Sequence, residues 1–250
     1  STELEVALTD LRAKGSLKGL VLDLRGNPGG LLDQATRVAD KFISNGVLVS
    51  TVGASEGRDE KKAHGPGTEP PYPIAVLVNG SSASASEIVA GALKNHDRAV
   101  IVGTTTFGKG SVQLVFPDVT PEKAALKLTI AQYLTPGDVS IQGVGVTPDV
   151  ELDPMTVDDL EMDLTMQKDG LRERDLSAHL TNGKAAPAAK PLEVVRYQLT
   201  SAEREEMRER GGDVDDDFKV DFPIRFARDF VLKAPQAQPR TAQVESTKDF

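Results

Sequence analysis

The sequence predicts an α/β fold, on three observations. Apolar runs of strand length, Leu20 to Leu24, Ile74 to Val78 and Ala99 to Gly103, lack the alternation of a half-solvated strand and suit a parallel or mixed sheet covered on both faces. Leu31 to Phe42 and Glu87 to Leu93 place apolar residues at helical spacing. The junctions between them are loops rich in Gly, Asn and Ser, and such folds put their ligands at strand ends.

Taken in order, Ser1 or Thr2 can cap a helix running to about Lys14, with Leu4, Ala7, Leu8 and Leu11 three and four apart and Gly15 at its end. The first strand runs into the sharp loop Gly26-Asn27-Pro28-Gly29-Gly30, and the second helix stops at Asn45-Gly46 before a strand over Val47 to Val52. Gly53 to Tyr72, rich in Gly, Pro and charge, is expected as an exposed, mobile loop or splayed hairpin. After Gly103 the pattern turns β-rich, through Ser111 to Phe116, Ala124 to Leu134, the turn Pro136-Gly137-Asp138 and Gly143 to Val146. Regular order is expected to end near Pro154. Four divisions result: a core over 1–154, truncated on its N-terminal side; an acidic, low-order insertion or linker over 155–217, with weakly amphipathic helices around Leu160 and Ala202; a closing helical segment over 218–233, spaced by Phe222, Phe226 and Phe230; and a disordered tail over 234–250. The chain opens without Met and already inside a helical pattern, as a piece of something longer would.

Composition narrows the function. Of 250 residues 39% are hydrophobic, ample for a core, and a net charge of -9 with no basic cluster argues against a nucleic-acid partner. With no cysteine, disulfides and thiolate metal sites are excluded, and His64, His96 and His179 fall in no metal-binding spacing, so no cofactor is expected. The Gly26 to Gly30 loop lacks a dinucleotide-binding pattern. No apolar run is long enough to span a membrane, and no signal-peptide pattern is present.

The chemistry concentrates where Ile74 to Val78 turns into the helix beginning near Ser84. Ser82, Ser84 and Ser86 alternate with alanine there, and Gly108-Lys109-Gly110 follows on the next loop. A serine at a strand-to-helix elbow is thrust into a cleft, and the helix N-terminus aims free N–H groups, that of Ala85 first, at the place where negative charge would develop. A lysine can serve as the base that serine needs, once burial has brought it from about 10.4 to about 7 or 8, a shift of roughly 4 kcal/mol against the charged form. Gln113 lies an even number of residues from Lys109, on the same face if the segment is extended, and its amide could orient the amine. Blander readings stand beside these. Ser84 to Glu87 has the spacing of a helix capping box, worth about 1 kcal/mol and no catalysis; Lys109 is then a solvated turn lysine and Gln113 an ordinary strand residue. A Ser–His pair using His96 is a further option.

Four blocks in order, Asp23-Leu24-Arg25-Gly26-Asn27-Pro28-Gly29-Gly30, Asn79-Gly80-Ser81-Ser82-Ala83-Ser84-Ala85-Ser86-Glu87-Ile88, Thr106-Phe107-Gly108-Lys109-Gly110-Ser111-Val112-Gln113 and Gly143-Val144-Gly145-Val146-Thr147-Pro148-Asp149, resemble the carboxy-terminal processing (tail-specific) serine proteases. The resemblance implies a serine endopeptidase with Ser84 as nucleophile and Lys109 as base, a triad completed by Gln113, oxyanion donors in the backbone N–H groups of Gly30 and Ala85, and supporting roles for Glu87 and Asn95. It implies a crotonase-like β-α superhelix core, here followed by a β-rich part and a charged, partly disordered tail. The implied substrates are proteins or peptides with accessible C-terminal tails, the implied location is extracytoplasmic, in the periplasm or cell envelope, and a PDZ domain is expected upstream. A homo-oligomer is left open. The alternative is a non-catalytic peptide-binding or scaffold module on the same fold, with Ser84 a helix cap only.

Overall fold

A computed structural model describes residues 1–53, 57–117, 124–157, 162–163, 171–177, 189–200, 202–203 and 221–234. The protein is a mixed α/β structure with two sheets. The first contains β1 (Leu20–Asp23), β4 (Ile74–Val78), β5 (Val100–Gly103), β9 (Val150–Val157) and β10 (Met162–Asp163) in that order, with β11 (Glu193–Leu199) also paired to β9. Its pairings are parallel except β9 with β10. The second is antiparallel: β3 (Arg58–Lys62), β2 (Val47–Gly53), β7 (Leu126–Thr135) and β6 (Ser111–Phe116), with the short β8 (Val139–Ser140) beside β7.

The continuous apolar run Ile74 to Val78 has the burial such a run requires, for all five residues of β4 are buried. Its alternate side chains feed two cores. Ile74, Val76 and Val78 join Ala35, Ile88, Leu93 and Tyr133, beneath helices α1 (Thr2–Ala13), α2 (Leu32–Asp40) and α3 (Ala85–Asn95) and the second sheet. Ala75 and Leu77 join Val102, Leu152, Tyr197 and Leu199, covered by Ile224, Ala227 and Val231 of helix α4 (Phe222–Lys233). No helix among the described residues is long and apolar enough to cross a membrane.

The expected helices and strands up to β7 are present within a few residues; Gly143 to Val146 forms turn and irregular backbone rather than a strand, and two further expectations need correction. The stretch 53–72 opens with the expected hairpin, β3 pairing antiparallel with β2, but its second half is not an exposed loop: Glu69 and Tyr72 are buried, and the Arg98 guanidinium donates to the carbonyls of Phe42, Pro70 and Tyr72 at 2.8–3.0 Å. Regular order does not end near Pro154, because β9 continues to Val157 and β11 pairs with it over seven residues. In β11 the residues Val195, Tyr197 and Leu199 alternate inward, a period of two that a search for helical spacing passes over. The helix expected around Leu160, the acidic run 213–217 and the tail after Ala234 lie outside the described residues.

Candidate active site

Adjacent parallel strands β1, β4 and β5 end at the same edge of the sheet, and the three loops that leave them form the site. The loop after β1 carries Arg25 to Gly30, that after β4 carries Asn79 to Ser84, and that after β5 carries Thr104 to Gly110.

These loops are laced together by backbone. Asn79 Oδ1 accepts the N–H groups of Gly26 and Ser81 at 3.0 and 3.1 Å, Asn27 O accepts the Ala83 N–H at 3.1 Å, and Ser82 O accepts the Phe107 N–H at 3.0 Å. Ser82 is buried, its hydroxyl donating to Leu24 O at 2.7 Å and accepting the Asn79 N–H at 3.0 Å; Ser86 is buried as well. Of the three alternating serines only Ser84 retains solvent exposure. It stands at φ 54°, ψ −115°, a conformation costly for any residue with a Cβ and of the kind found where a side chain is held for function.

Gly29 lies against this elbow. At φ 96° it fits where no other residue would, because a Cβ there would come within 2.5 Å of Ala83 O, 2.7 Å of Ala85 N and 3.0 Å of Ser84 Cβ. The next residue, Gly30, lines with Ala85 a cavity of about 150 Å³ whose remaining wall is mostly apolar: Leu24, Leu31, Ala35, Val38 and Val89. Ala85 occupies the first position of α3, where the N–H has no carbonyl partner in the helix.

The joint between the serine and lysine loops is Glu87. It is fully buried, and each of its oxygens accepts two hydrogen bonds: Oε2 from the backbone N–H of Ser84 and of Lys109, both at 2.8 Å, and Oε1 from Gly108 N at 2.7 Å and Thr106 Oγ1 at 2.5 Å. Burial pushes its carboxyl above the ordinary glutamate value, and the four donors oppose that shift. The Ser84–Glu87 capping box is therefore real, and it also does more than cap. Thr106, buried between the elements, accepts the Val146 N–H at 2.7 Å and so ties the Gly143 to Val146 block to the same joint. Nothing in the run Thr104-Thr105-Thr106 singles out the third threonine, so its role was not legible in the sequence.

The Lys109 side chain is half-buried, and among the described residues no hydrogen bond joins its Nζ to Ser84 Oγ. Gly110 N donates to Gln142 Oε1 at 2.9 Å, and Glu173 N donates to Phe107 O at 3.2 Å, so the lysine loop is backed from outside the three strands. Gln113 is exposed, its Nε2 3.5 Å from Thr129 Oγ1, and among the described residues no hydrogen bond joins it to Lys109. The spacing argument for it presumed an unbroken strand. In fact β6 begins at Ser111, so Lys109 precedes the strand and the parity rule does not reach it; the register slip between Val112 and Gln113 leaves Ile130 of β7 as the extra residue. His96 bonds Val47 O and Asn95 bonds Thr135 and Pro136, both at the far end of α3, on the order of 18 Å of helix rise from Ser84. That distance removes the Ser–His option and leaves Asn95 away from the elbow.

Known proteins resemble this chain over much of its length. A sequence model of peptidase family S41 matches residues 1–152. The chain is 48% identical over 178 residues to the carboxy-terminal-processing protease of Bartonella bacilliformis, an alignment covering 68% of this chain and 40% of that protein. It is 43% identical over 148 residues to the chloroplastic C-terminal processing peptidase of Tetradesmus obliquus, covering 59% of this chain and 31% of that one. Among solved structures, the photosystem II D1 C-terminal processing protease superposes with a TM-score of 0.55 at 41% identity, over 60% of this chain and 38% of that one. The chain thus spans two fifths or less of the length of these relatives. With the family's sequence model matching well over half of its residues, the chain belongs to peptidase family S41.

Proposed function

We propose that this chain carries the catalytic centre of a serine endopeptidase that cleaves protein substrates near their C-termini. The observation that carries the reading is Glu87, one buried carboxylate bonded at once to the backbone of Ser84 and of Lys109, which fixes the relative position of a serine elbow and a lysine loop. In the proposed reaction neutral Lys109 takes the Ser84 proton as Oγ attacks the scissile carbonyl, and the carbonyl oxygen becomes an anion facing the N–H groups of Ala85 and Gly30. Collapse breaks the C–N bond, the lysine returns its proton to the leaving amine, and water activated by the same base hydrolyses the acyl-enzyme. The apolar cavity beside Gly30 and Ala85 suits a small apolar side chain next to the scissile bond.

A crotonase-like core, Gln113 as third member of the site, an upstream PDZ domain and an extracytoplasmic location belong to the same proposal and rest on the family resemblance. That no hydrogen bond joins Lys109 Nζ to Ser84 Oγ among the described residues favours a second reading, a peptide-binding module without catalysis.

One experiment separates them. Ser84→Ala and Lys109→Ala in the full protein should each abolish cleavage of a substrate with an unstructured C-terminal tail, followed by gel or mass spectrometry. Retained cleavage in either variant overturns the dyad. Tail binding by the parent without cleavage supports the second reading.

A further inference from the structure

Arg25 stands at the root of the loop that carries Gly29 and Gly30, and it is held far more firmly than a loop arginine needs to be. Its side chain is only 10% exposed. Its Nε and Nη2 meet Asp23 Oδ1 and Oδ2 at 3.0 and 2.7 Å, and its Nη1 and Nη2 meet Asp221 Oδ1 and Oδ2 at 3.2 and 2.8 Å. Both carboxylates are thus gripped in the two-pronged geometry that a guanidinium provides and an ammonium does not. Asp221 has a second task, for its Oδ1 also accepts the Ile224 N–H at 3.0 Å and caps α4. That helix is seated on the central strands by Ile224, Ala227 and Val231. The chain from Arg25 to Gly30 is therefore fastened at its root to a helix that arrives 196 residues later, and beyond that root to the serine loop, through Gly26 N on Asn79 and Asn27 O on Ala83 N. Asp221 lies well outside residues 1–152, the part that matches the family.

We propose that Asp221, acting through Arg25, is a positioning residue for the Gly30 oxyanion donor, so that the catalytic site is completed by the N-terminus of the C-terminal helix. This rests on the peptidase reading above. An oxyanion donor contributes mainly in the transition state, and displacement by a fraction of an ångström forfeits much of that contribution. Loss of the Asp221 grip alone is not expected to unfold the protein. Arg25 keeps Asp23 as its counter-ion, and asparagine at 221 caps a helix about as well as aspartate.

Asp221→Asn in the full protein is accordingly the informative variant, with Arg25→Lys and the double variant beside it. The expected result is a fall in kcat on the order of tenfold at nearly unchanged KM and melting temperature, with the double variant no worse than the poorer single one. Hydrogen exchange of the amides over 26–31 should quicken in Asp221→Asn, a readout that needs no catalysis. Unchanged exchange in that loop, an unchanged kcat despite quickened exchange, or additive losses in the double variant would overturn the coupling. If the parent shows no cleavage that Ser84→Ala removes, the peptidase reading fails on its own; quickened exchange then still supports the Arg25–Asp221 coupling, and unchanged exchange overturns it.

Discussion

Glu87 joins two loops by charge as well as by shape. All four of its partners donate, which a carboxylate can accept and an amide cannot. Glu87→Gln would point an NH₂ at two of those donors inside a buried site, and should cost about 3 kcal/mol of stability while lowering kcat at least on the order of tenfold. Urea unfolding and the tail-cleavage assay check the two halves, and a variant as stable and active as the parent would show that the joint is incidental. At this scale the sequence was informative where local geometry decides. Ser84 and Glu87 announced themselves by an elbow and a capping spacing, because both are settled within one helical turn. The partners of Glu87 at 106, 108 and 109 were not readable, since tertiary approach alone brings them in. The parity argument for Gln113 is limited in the same way: it holds along a strand, and β6 begins only at Ser111, after Lys109.

Among the elements, β11 and α4 arrive last in sequence and yet form half of one core. Tyr197 is buried and stacks on Phe222 with ring centroids 4.3 Å apart, at a 13° interplanar angle. Tyr197→Ala should therefore destabilise the protein by about 3 to 5 kcal/mol, the usual range for emptying a large aromatic site. It should do so in a single transition followed by circular dichroism; an early separate transition with the remaining sheet intact would show that the two elements are an appendage. The helix was legible through its Phe222, Phe226 and Phe230 spacing, though the spacing did not single out Asp221, the residue that caps it. The strand was not, because its Glu193, Arg196 and Gln198 read as part of a charged linker until β9 supplies the pairing.

Over the whole molecule, charge is spread so that surface clusters matter less than the buried joints. Arg58 bridges β3 to Asp138, after β7, at 2.5 Å and to Glu60 at 2.7 Å, and holds both carboxyls below their usual range. Depressed folded values mean that this stabilisation is present at neutral pH and is lost as pH falls through them. All three groups face solvent, so the contribution is small and screened by salt. Thermal melts should separate parent from Asp138→Asn slightly at neutral pH, less in high salt, and not at all in strong acid; a gap that widens on acidification would reverse the sign. The feature with the widest reach is β4, whose five residues divide between two cores. A strand with one face in solvent can drift on that side, exchanging one residue for another over generations. Ile74 to Val78 has no such side, and the serine elbow hangs directly from its end. Descendants of this sequence should therefore vary little along these five positions, all of them buried away from solvent.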